Sequence, residues 1–180
     1  MNGNDLKKYA DHALKEGATS VKEINPSSVV TDAWVRLKCQ FGCGGYNSGY
    51  CCPPHTPTAE ATRQVLHCYK RALLFHIETV PSEDRGKRLK KFYQMLVELE
   101  GELFKDGYYK AFIYLAGPCR LCKECGKVKG SSCHHADRAR PSMESCGIDV
   151  FQTARNNDCH IKTLREETEP RNTFCLMLVD

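Results

Sequence analysis

The stretch "RALLFHIETVPSEDRGKRLKKFYQMLVELEGELFKDGYYKAFIYLAG" (71–117) decides the fold class. Its first ten residues, 71–80, and its last ten, 108–117, are short apolar runs of the kind that form buried strands. Between them, Ser82 is expected to open a helix that ends at Gly107. Its apolar residues recur at helical spacing: Leu89, Phe92, Tyr93, Leu96, Leu99 and Leu103. A strand, a helix and a strand in succession predict helices packed on a sheet.

The flanking sequence extends this pattern in both directions. Towards the N-terminus we expect a helix at 4–16, strands at 19–24 and 29–39, and a helix that begins with Thr56 as its cap. Towards the C-terminus we expect a helix at 141–157 and a last strand at 173–180. The predicted fold is therefore α/β or α+β, a mixed sheet with flanking helices. Residues 1–180 are expected to form a single domain that carries two cysteine-rich loops, at 39–57 and 118–140.

Composition limits the classes of function. The N-terminus has no apolar core of a secretory signal, and no apolar run approaches the roughly 18 to 20 residues of a membrane span. We therefore expect a cytoplasmic protein without a membrane partner. The net charge of +4 is mild, and the basic stretch 85–91 falls on a predicted helix face, so a nucleic acid partner is not expected. Twelve cysteines in a reducing compartment indicate metal ligation or catalysis more than disulfides.

The second loop, "CRLCKECGKVKGSSCHH" (119–135), carries the strongest motif. Cys119, Cys122 and Cys125 are spaced so that one turn of chain can aim three thiolates at a common centre. This spacing favours a [4Fe–4S] cluster, whose irons need separate thiolates. Zinc more commonly uses one Cys-x2-Cys pair together with a distant second pair. Cys133 could complete this cluster or serve a different centre.

The first loop, "CQFGCGGYNSGYCCPPHTP" (39–57), offers Cys39, Cys43 and the adjacent pair Cys51 and Cys52. Adjacent cysteines rarely ligate the same centre, so one of the pair is expected to be a ligand. Loops of this length in a compact domain are usually functional. Each cysteine loop is expected to leave the end of a strand, where sites commonly lie.

The remaining cysteines carry weaker signals. Cys68 and Cys175 fall in a helical and a strand pattern, and both are expected to be small buried hydrophobes. Cys159 lies in a polar segment and is expected to be an exposed thiol. Cys146 could be a ligand or a structural residue. His134 and His135, beside Cys133, could ligate or donate hydrogen bonds to a cluster, or be ordinary polar loop residues.

Three motifs in order, "KCQFGCGGYNSGYCCPPHTPT" (38–58), "GPCRLCKECGKVKGSSCHH" (117–135) and "ARPSMESCGIDVFQTARN" (139–156), resemble a family of prokaryotic cysteine-rich predicted metal-binding proteins of unknown function. The resemblance covers most of the chain. It implies a bound metal, expected to be an iron–sulfur cluster, with ligands drawn from eight cysteines that match the motifs. They are Cys39, Cys43, Cys52, Cys119, Cys122, Cys125, Cys133 and Cys146. Where the family often has Cys-Arg-x-Pro this chain has Cys133 followed by two histidines, so an anion contact by that arginine is not expected.

The predicted function is therefore a cytoplasmic iron–sulfur protein with one or two [4Fe–4S] clusters that acts in electron transfer or redox chemistry, with a redox protein as its partner. Two alternatives remain open. One is a structural or binding module in which zinc ties the two loops together. The other is an iron–sulfur enzyme in which one iron lacks a protein ligand and binds substrate.

Overall fold

A four-stranded antiparallel sheet forms the centre of the protein in the computed structural model, which describes residues 5–81 and 84–180. Its strands are β1 (Ser20–Ile24), β2 (Ala72–Thr79), β3 (Phe112–Tyr114) and β4 (Arg171–Leu178). The spatial order is β1-β2-β4-β3, and each neighbouring pair is antiparallel. The longest pairing joins β2 and β4, which run side by side through the middle of the sheet.

Helices cover both faces of this sheet. In the described residues they are α1 (Lys7–Lys15), α2 (Ala33–Gly42), α3 (Ala59–Leu66), α4 (Arg85–Lys105) and α5 (Val150–Asn156). Short 3-10 turns occur at Pro26–Ser28, Gly126–Lys129 and Glu144–Cys146. No helix of the described residues is both long enough and apolar enough to cross a membrane.

The side chains of β2 divide between two hydrophobic cores. Leu73, Phe75 and Ile77 pack with residues of α1 and α4 on one face of the sheet. Ala72 and Leu74 pack on the other face with residues of α3 and α5. Because side chains of a strand alternate between faces, a strand covered on both sides must be apolar throughout. This explains why five of the six residues from 72 to 77 are apolar.

The prediction of a fold with helices on a sheet is confirmed, and the architecture is the α+β alternative. The sheet pairings are antiparallel, and a parallel contact occurs only as the isolated bridge between Leu115 and Ser142 among the described residues. The expected strand at 108–117 is shorter, with only 112–114 paired to β4. The helix α4 is capped by Asp84, whose side chain accepts a hydrogen bond from the Lys87 N–H; the expected cap Ser82 lies outside the described residues.

The predicted strand at 29–39 is wrong, because most of it forms helix α2. Asp32 has an extended backbone, and its carboxylate accepts a hydrogen bond from the Trp34 N–H, which begins the helix at Ala33. Only Thr31 retains strand character, in an isolated bridge to Ile148. The first cysteine loop therefore leaves the end of a helix, whereas the second leaves the region after β3.

The predicted helix at 141–157 is also wrong as a single element. A 3-10 turn ends at Gly147, whose φ of +79° breaks the helical path, and Asp149 then caps α5. Likewise, α3 is capped by Thr58 and not by Thr56. The Thr56 hydroxyl instead donates to the Ser145 carbonyl at 2.6 Å, which ties the first loop to this turn.

Candidate metal centre

The two cysteine loops meet at one end of the molecule through side-chain and backbone contacts. The Tyr50 hydroxyl donates to the Ser131 carbonyl at 2.8 Å, and Lys127 Nζ donates to the Asn47 carbonyl at 2.9 Å. Between these contacts, a Cβ placed on Gly49 would lie 3.6 Å from the sulfur of Cys125. Hydrogen bonds therefore join two loops that are far apart in the sequence, and thiols from both loops lie close together.

One group of thiols consists of Cys39, Cys43 and Cys52. Cys39 lies in the last turn of α2, and Cys43 is the extended residue that caps the helix, with its N–H donating to the Cys39 carbonyl at 3.3 Å. A Cβ on Gly45 would lie 3.4 Å from the Cys43 sulfur and 3.7 Å from the Cys52 sulfur, which places these two sulfurs around the same glycine. The Gly45 N–H also donates to the Cys43 sulfur at 3.4 Å.

The electrostatics of Cys52 support this grouping. Burial raises the pKa of the Cys52 thiol most, and the charges of Cys43 and then Cys39 raise it further. Burial and then the charge of Cys43 raise the pKa of Cys39 in the same way. Each thiolate in this group opposes ionisation of its neighbours by charge repulsion. A bound metal cation would offset that charge and so favour the thiolate form of all of them.

A second group is formed by Cys51, Cys119, Cys122 and Cys133. Cys51 of the first loop and Cys119 of the second are the two thiols of this group that affect each other most. The interaction with Cys119, then burial, then the charge of Cys133 raise the pKa of Cys51. Burial and then the charges of Cys119, Cys125 and Cys133 raise the pKa of Cys122.

Within this group the pKa of Cys119 shifts in the opposite direction from those of its neighbours. The Cys51 thiol lowers the pKa of Cys119 most, and the Leu121 N–H and His135 lower it further, against the effect of burial. Contact of His134 or His135 with a bound cluster stays a prediction.

Cys125 lies between the two groups. Its sulfur is next to Gly49 of the first loop, and its charge acts on both Cys52 and Cys122. Gly126, the next residue, begins a 3-10 turn. A Cβ at this position would lie only 2.4 Å from the Ser132 carbonyl oxygen, so no other residue fits there without a shift of the chain. The glycine therefore lets the chain fold back sharply after Cys125.

The spacing left open which of Cys51 and Cys52 is a ligand, and only the family resemblance selected Cys52. In the structure both are 9% exposed, the Cys52 sulfur lies with that of Cys43 around Gly45, and Cys119 is the neighbour that affects Cys51 most. The charge of Cys119 also acts on Cys52, so both thiols of the pair stay candidates.

Cys146 has a different environment from the other predicted ligands. Its side chain is fully buried in the apolar core beneath α3 and α5, and burial raises the pKa of its thiol to about 12. The Arg36 and Glu144 charges that act on Cys146 also act on Cys39. Its backbone carbonyl accepts a hydrogen bond from Thr62 at 2.7 Å, so the turn around it anchors α3. Its role as a ligand stays a prediction.

The other cysteines take structural positions. Cys175 is completely buried in the sheet, as expected, whereas Cys68 is exposed, contrary to the expectation of a buried residue. Cys159 is half-buried where an exposed thiol was expected. All twelve cysteines lie in the described residues, and all are free thiols. Within residues 5–81 and 84–180, no group of three or more His, Cys, Asp or Glu side chains is arranged so that it could hold a metal ion.

Free thiols from two loops, close to one another at the point where the loops meet, are the chain's candidate metal ligands. A family model described as predicted metal-binding protein (DUF2284) matches residues 22–179, and the chain belongs to that family. The match includes both loops and the turn around Cys146. No curated protein matches the chain, and no solved structure matches it.

Proposed function

We propose that this metal-binding protein carries one or two [4Fe–4S] clusters and acts in electron transfer or redox chemistry. The observation that carries the proposal is the convergence of free thiols from two separated loops. These loops are joined by the hydrogen bonds of Tyr50 and Lys127 and by the close approach of Cys125 to Gly49. Thiolates are the protein ligands of iron–sulfur clusters. When bound, such a cluster supplies a one-electron redox centre.

The donor set fits this cofactor in kind and number. The two loops contribute eight thiols, which is the number that two [4Fe–4S] clusters require. They are Cys39, Cys43, Cys51, Cys52, Cys119, Cys122, Cys125 and Cys133. Cys125, placed between the groups, would give each group four sulfurs if it joins Cys39, Cys43 and Cys52. Because ligation requires loss of the thiol protons, loading is expected to move these side chains from the arrangement described above.

A cytoplasmic location is part of the proposal. It is supported by the twelve cysteines without a disulfide, since thiols stay reduced in that compartment. Cys43 and Cys119 are exposed, which would let a redox partner protein approach the centre.

Anaerobic purification followed by iron and sulfide analysis and electron paramagnetic resonance tests the proposal. We expect a brown protein with stoichiometric iron and acid-labile sulfide, and a resonance that appears on reduction with dithionite. A colourless protein that contains only zinc, even after anaerobic reconstitution, would refute it. That outcome would support the module in which zinc ties the loops together, with unfolding by chelators as its signature.

The Cys51→Ser variant gives the sharpest test of the ligand set. If Cys51 serves the second group, we expect about half of the cluster iron to be lost or its resonance to change, because one thiolate is missing. Cys68→Ser is the matched control, since Cys68 is an exposed free thiol in the same chain. Cys146→Ser should be measured in parallel, and full iron retention there would remove Cys146 from the ligand set.

An iron–sulfur enzyme with an open iron site is the second candidate function. It is favoured by the group of Cys39, Cys43 and Cys52, which has three close thiols and lies beside a large cleft. If Cys125 does not join this group, one iron would lack a protein ligand. A change in the cluster resonance when small ligands such as cyanide are added would support this candidate.

A further inference from the structure

A cleft of about 820 Å³ lies between α2, the first half of α4, residues 115–121 and the start of β4. This volume is within the range of sites for small molecules and cofactors. Part of its wall is apolar and firmly packed, including Val35, Leu89 and Phe174, each of which is buried. Trp34, at 44% exposure, stands at its edge and is the sole tryptophan of the chain.

The polar lining of the cleft is strongly basic. It contains eight lysines and arginines but only three acidic residues, an excess of five positive charges, whereas the whole chain has a net charge of +4. Five of the cations form no ion pair within the described residues. They are Lys38, Arg85, Lys90, Arg120 and Arg171. Positive charge is therefore concentrated in the cleft, where the walls focus its field on whatever enters.

Arg85 provides a second, independent observation. Its Nε atom is buried and has no hydrogen-bond partner within the described residues, while its Nη2 makes only a long contact of 3.4 Å to the Thr173 hydroxyl. Buried donors in native proteins almost always have an acceptor, and leaving one unsatisfied costs free energy. An acceptor supplied by a bound molecule would satisfy this guanidinium.

The thiols do not account for these cations. Cys39, Cys43 and Cys119 line the same cleft, but the positive neighbour that acts on Cys39 is Arg36 and the one that acts on Cys119 is His135. By contrast, the charges of Arg85 and Arg120 act on the hydroxyl of Tyr93, inside the cleft.

We propose that the cleft binds an organic anion, with an apolar body of aromatic size and a carboxylate, sulfonate or phosphate group. The anionic group accepts hydrogen bonds from the Arg85 guanidinium, with Lys90 on the same helix adding charge. The apolar body packs against the buried wall and Trp34. Because Cys39, Cys43 and Cys119 share the cleft, the bound molecule lies beside the thiol groups. The binding itself does not require a metal and is independent of the function proposed above.

Calorimetric titration with anilinonaphthalene sulfonate tests this site, with N-phenylnaphthylamine as a probe that lacks only the sulfonate. Both the protein as purified and the same protein after removal of metal by a chelator are titrated, so failure of metal loading does not affect the result. In the metal-free sample, fluorescence of Trp34 reports whether the probe enters this cleft. We expect saturable binding of the sulfonate, with a fluorescence change, and at least about tenfold weaker binding of the neutral probe.

Charge-matched double variants locate the binding. Arg85→Gln with Lys90→Gln should weaken binding of the sulfonate by about 10- to 100-fold, as expected for loss of hydrogen bonds to a charged group, with little effect on the neutral probe. Lys87→Gln with Lys105→Gln removes the same charge from the same helix outside the cleft and should change affinity by no more than about twofold.

Equal weakening in both doubles, or equal affinity for the two probes, would overturn the proposal, because either result indicates non-specific attraction or simple apolar binding. If the Arg85→Gln variant does not fold by circular dichroism, Arg85→Lys provides the same test. It keeps the charge but loses the Nε–H, so weaker binding is still expected. Unchanged binding in Arg85→Lys would show that the unsatisfied donor is not used.

Discussion

Removal of the Glu100 carboxylate should destabilise the protein strongly, because this one group accepts hydrogen bonds from two separate parts of the structure. Glu100 lies on α4, and its Oε2 accepts a hydrogen bond from the Ile113 N–H of β3 at 2.8 Å. The same carboxylate forms a paired contact with the Arg140 guanidinium, at 2.9 Å from Nε and 2.6 Å from Nη2. Only 11% of the Glu100 side chain and 16% of the Arg140 side chain are exposed.

The magnitude follows from what is left behind in each variant. Glu100→Ala leaves a buried guanidinium without its counter-charge and a buried N–H without an acceptor, so we expect a loss of about 3–5 kcal/mol in the free energy of unfolding. Glu100→Gln retains an acceptor oxygen for Ile113 but not the charge, and about 1–3 kcal/mol is expected. Combining Glu100→Gln with Arg140→Met should be less destabilising than the two single changes added together.

Urea denaturation of metal-free protein, followed by circular dichroism, measures these differences. Glu102→Ala, an exposed position of the same helix, is the control and should cost less than about 1 kcal/mol. Because Arg140 ends the second cysteine loop, Glu100→Ala should also speed amide hydrogen exchange in 118–140 more than in β2. A loss below about 1 kcal/mol for Glu100→Ala, or strict additivity in the double variant, would refute the reasoning.

Two further changes test other parts of the structure. Gly147→Ala should cost at least about 1–3 kcal/mol, because its φ is +79° and the new Cβ would lie 2.7 Å from the Ala59 Cβ; thermal unfolding would measure the loss, and an unchanged melting temperature would contradict the turn. Hydrogen bonds from Tyr108 and then Arg71 lower the pKa of Asp5 below 3.8, so its contribution to stability is present above about pH 4 and is lost as the pH falls through the lowered pKa. Asp5→Asn should therefore reduce the free energy of unfolding by up to about 1 kcal/mol at neutral pH but not at pH ~2, and an equal loss at both pH values would argue against the ion pair.

The sequence alone predicted those helices and strands whose buried faces show in their own pattern of apolar residues. Strand β2 is covered on both faces and is apolar at five of its first six positions, and α4 shows its buried face as a regular spacing of leucines. By contrast, α2 was mistaken for a strand because its apolar residues alternate. The hydrogen bond from Trp34 N–H to Asp32, which begins the helix, depends on a backbone conformation that alternation does not indicate.

The break at Gly147 shows a related limit. Residues 141–157 have helical character, but Gly147 adopts a positive φ and its carbonyl accepts a hydrogen bond from the Asp32 N–H at 2.8 Å. That contact spans more than a hundred residues of sequence, so no local pattern could have predicted it. It also fixes the start of α2, and thereby the direction in which Cys39 and Cys43 leave the helix.

For the candidate site, the sequence indicated which cysteines are candidate ligands. It did not indicate how their sulfurs are divided between the two groups of thiols. Spacing assigns Cys119, Cys122 and Cys125 to one centre, yet Cys125 lies against the first loop at Gly49. The direction of a side chain in an irregular loop depends on the surrounding fold and not on its place in the sequence. Cys51 and Cys52 illustrate this, because these adjacent residues have different nearest thiols. The Cys52 sulfur lies with that of Cys43 around Gly45, whereas Cys119 is the neighbour that affects Cys51 most, and no spacing rule in the sequence distinguishes the two.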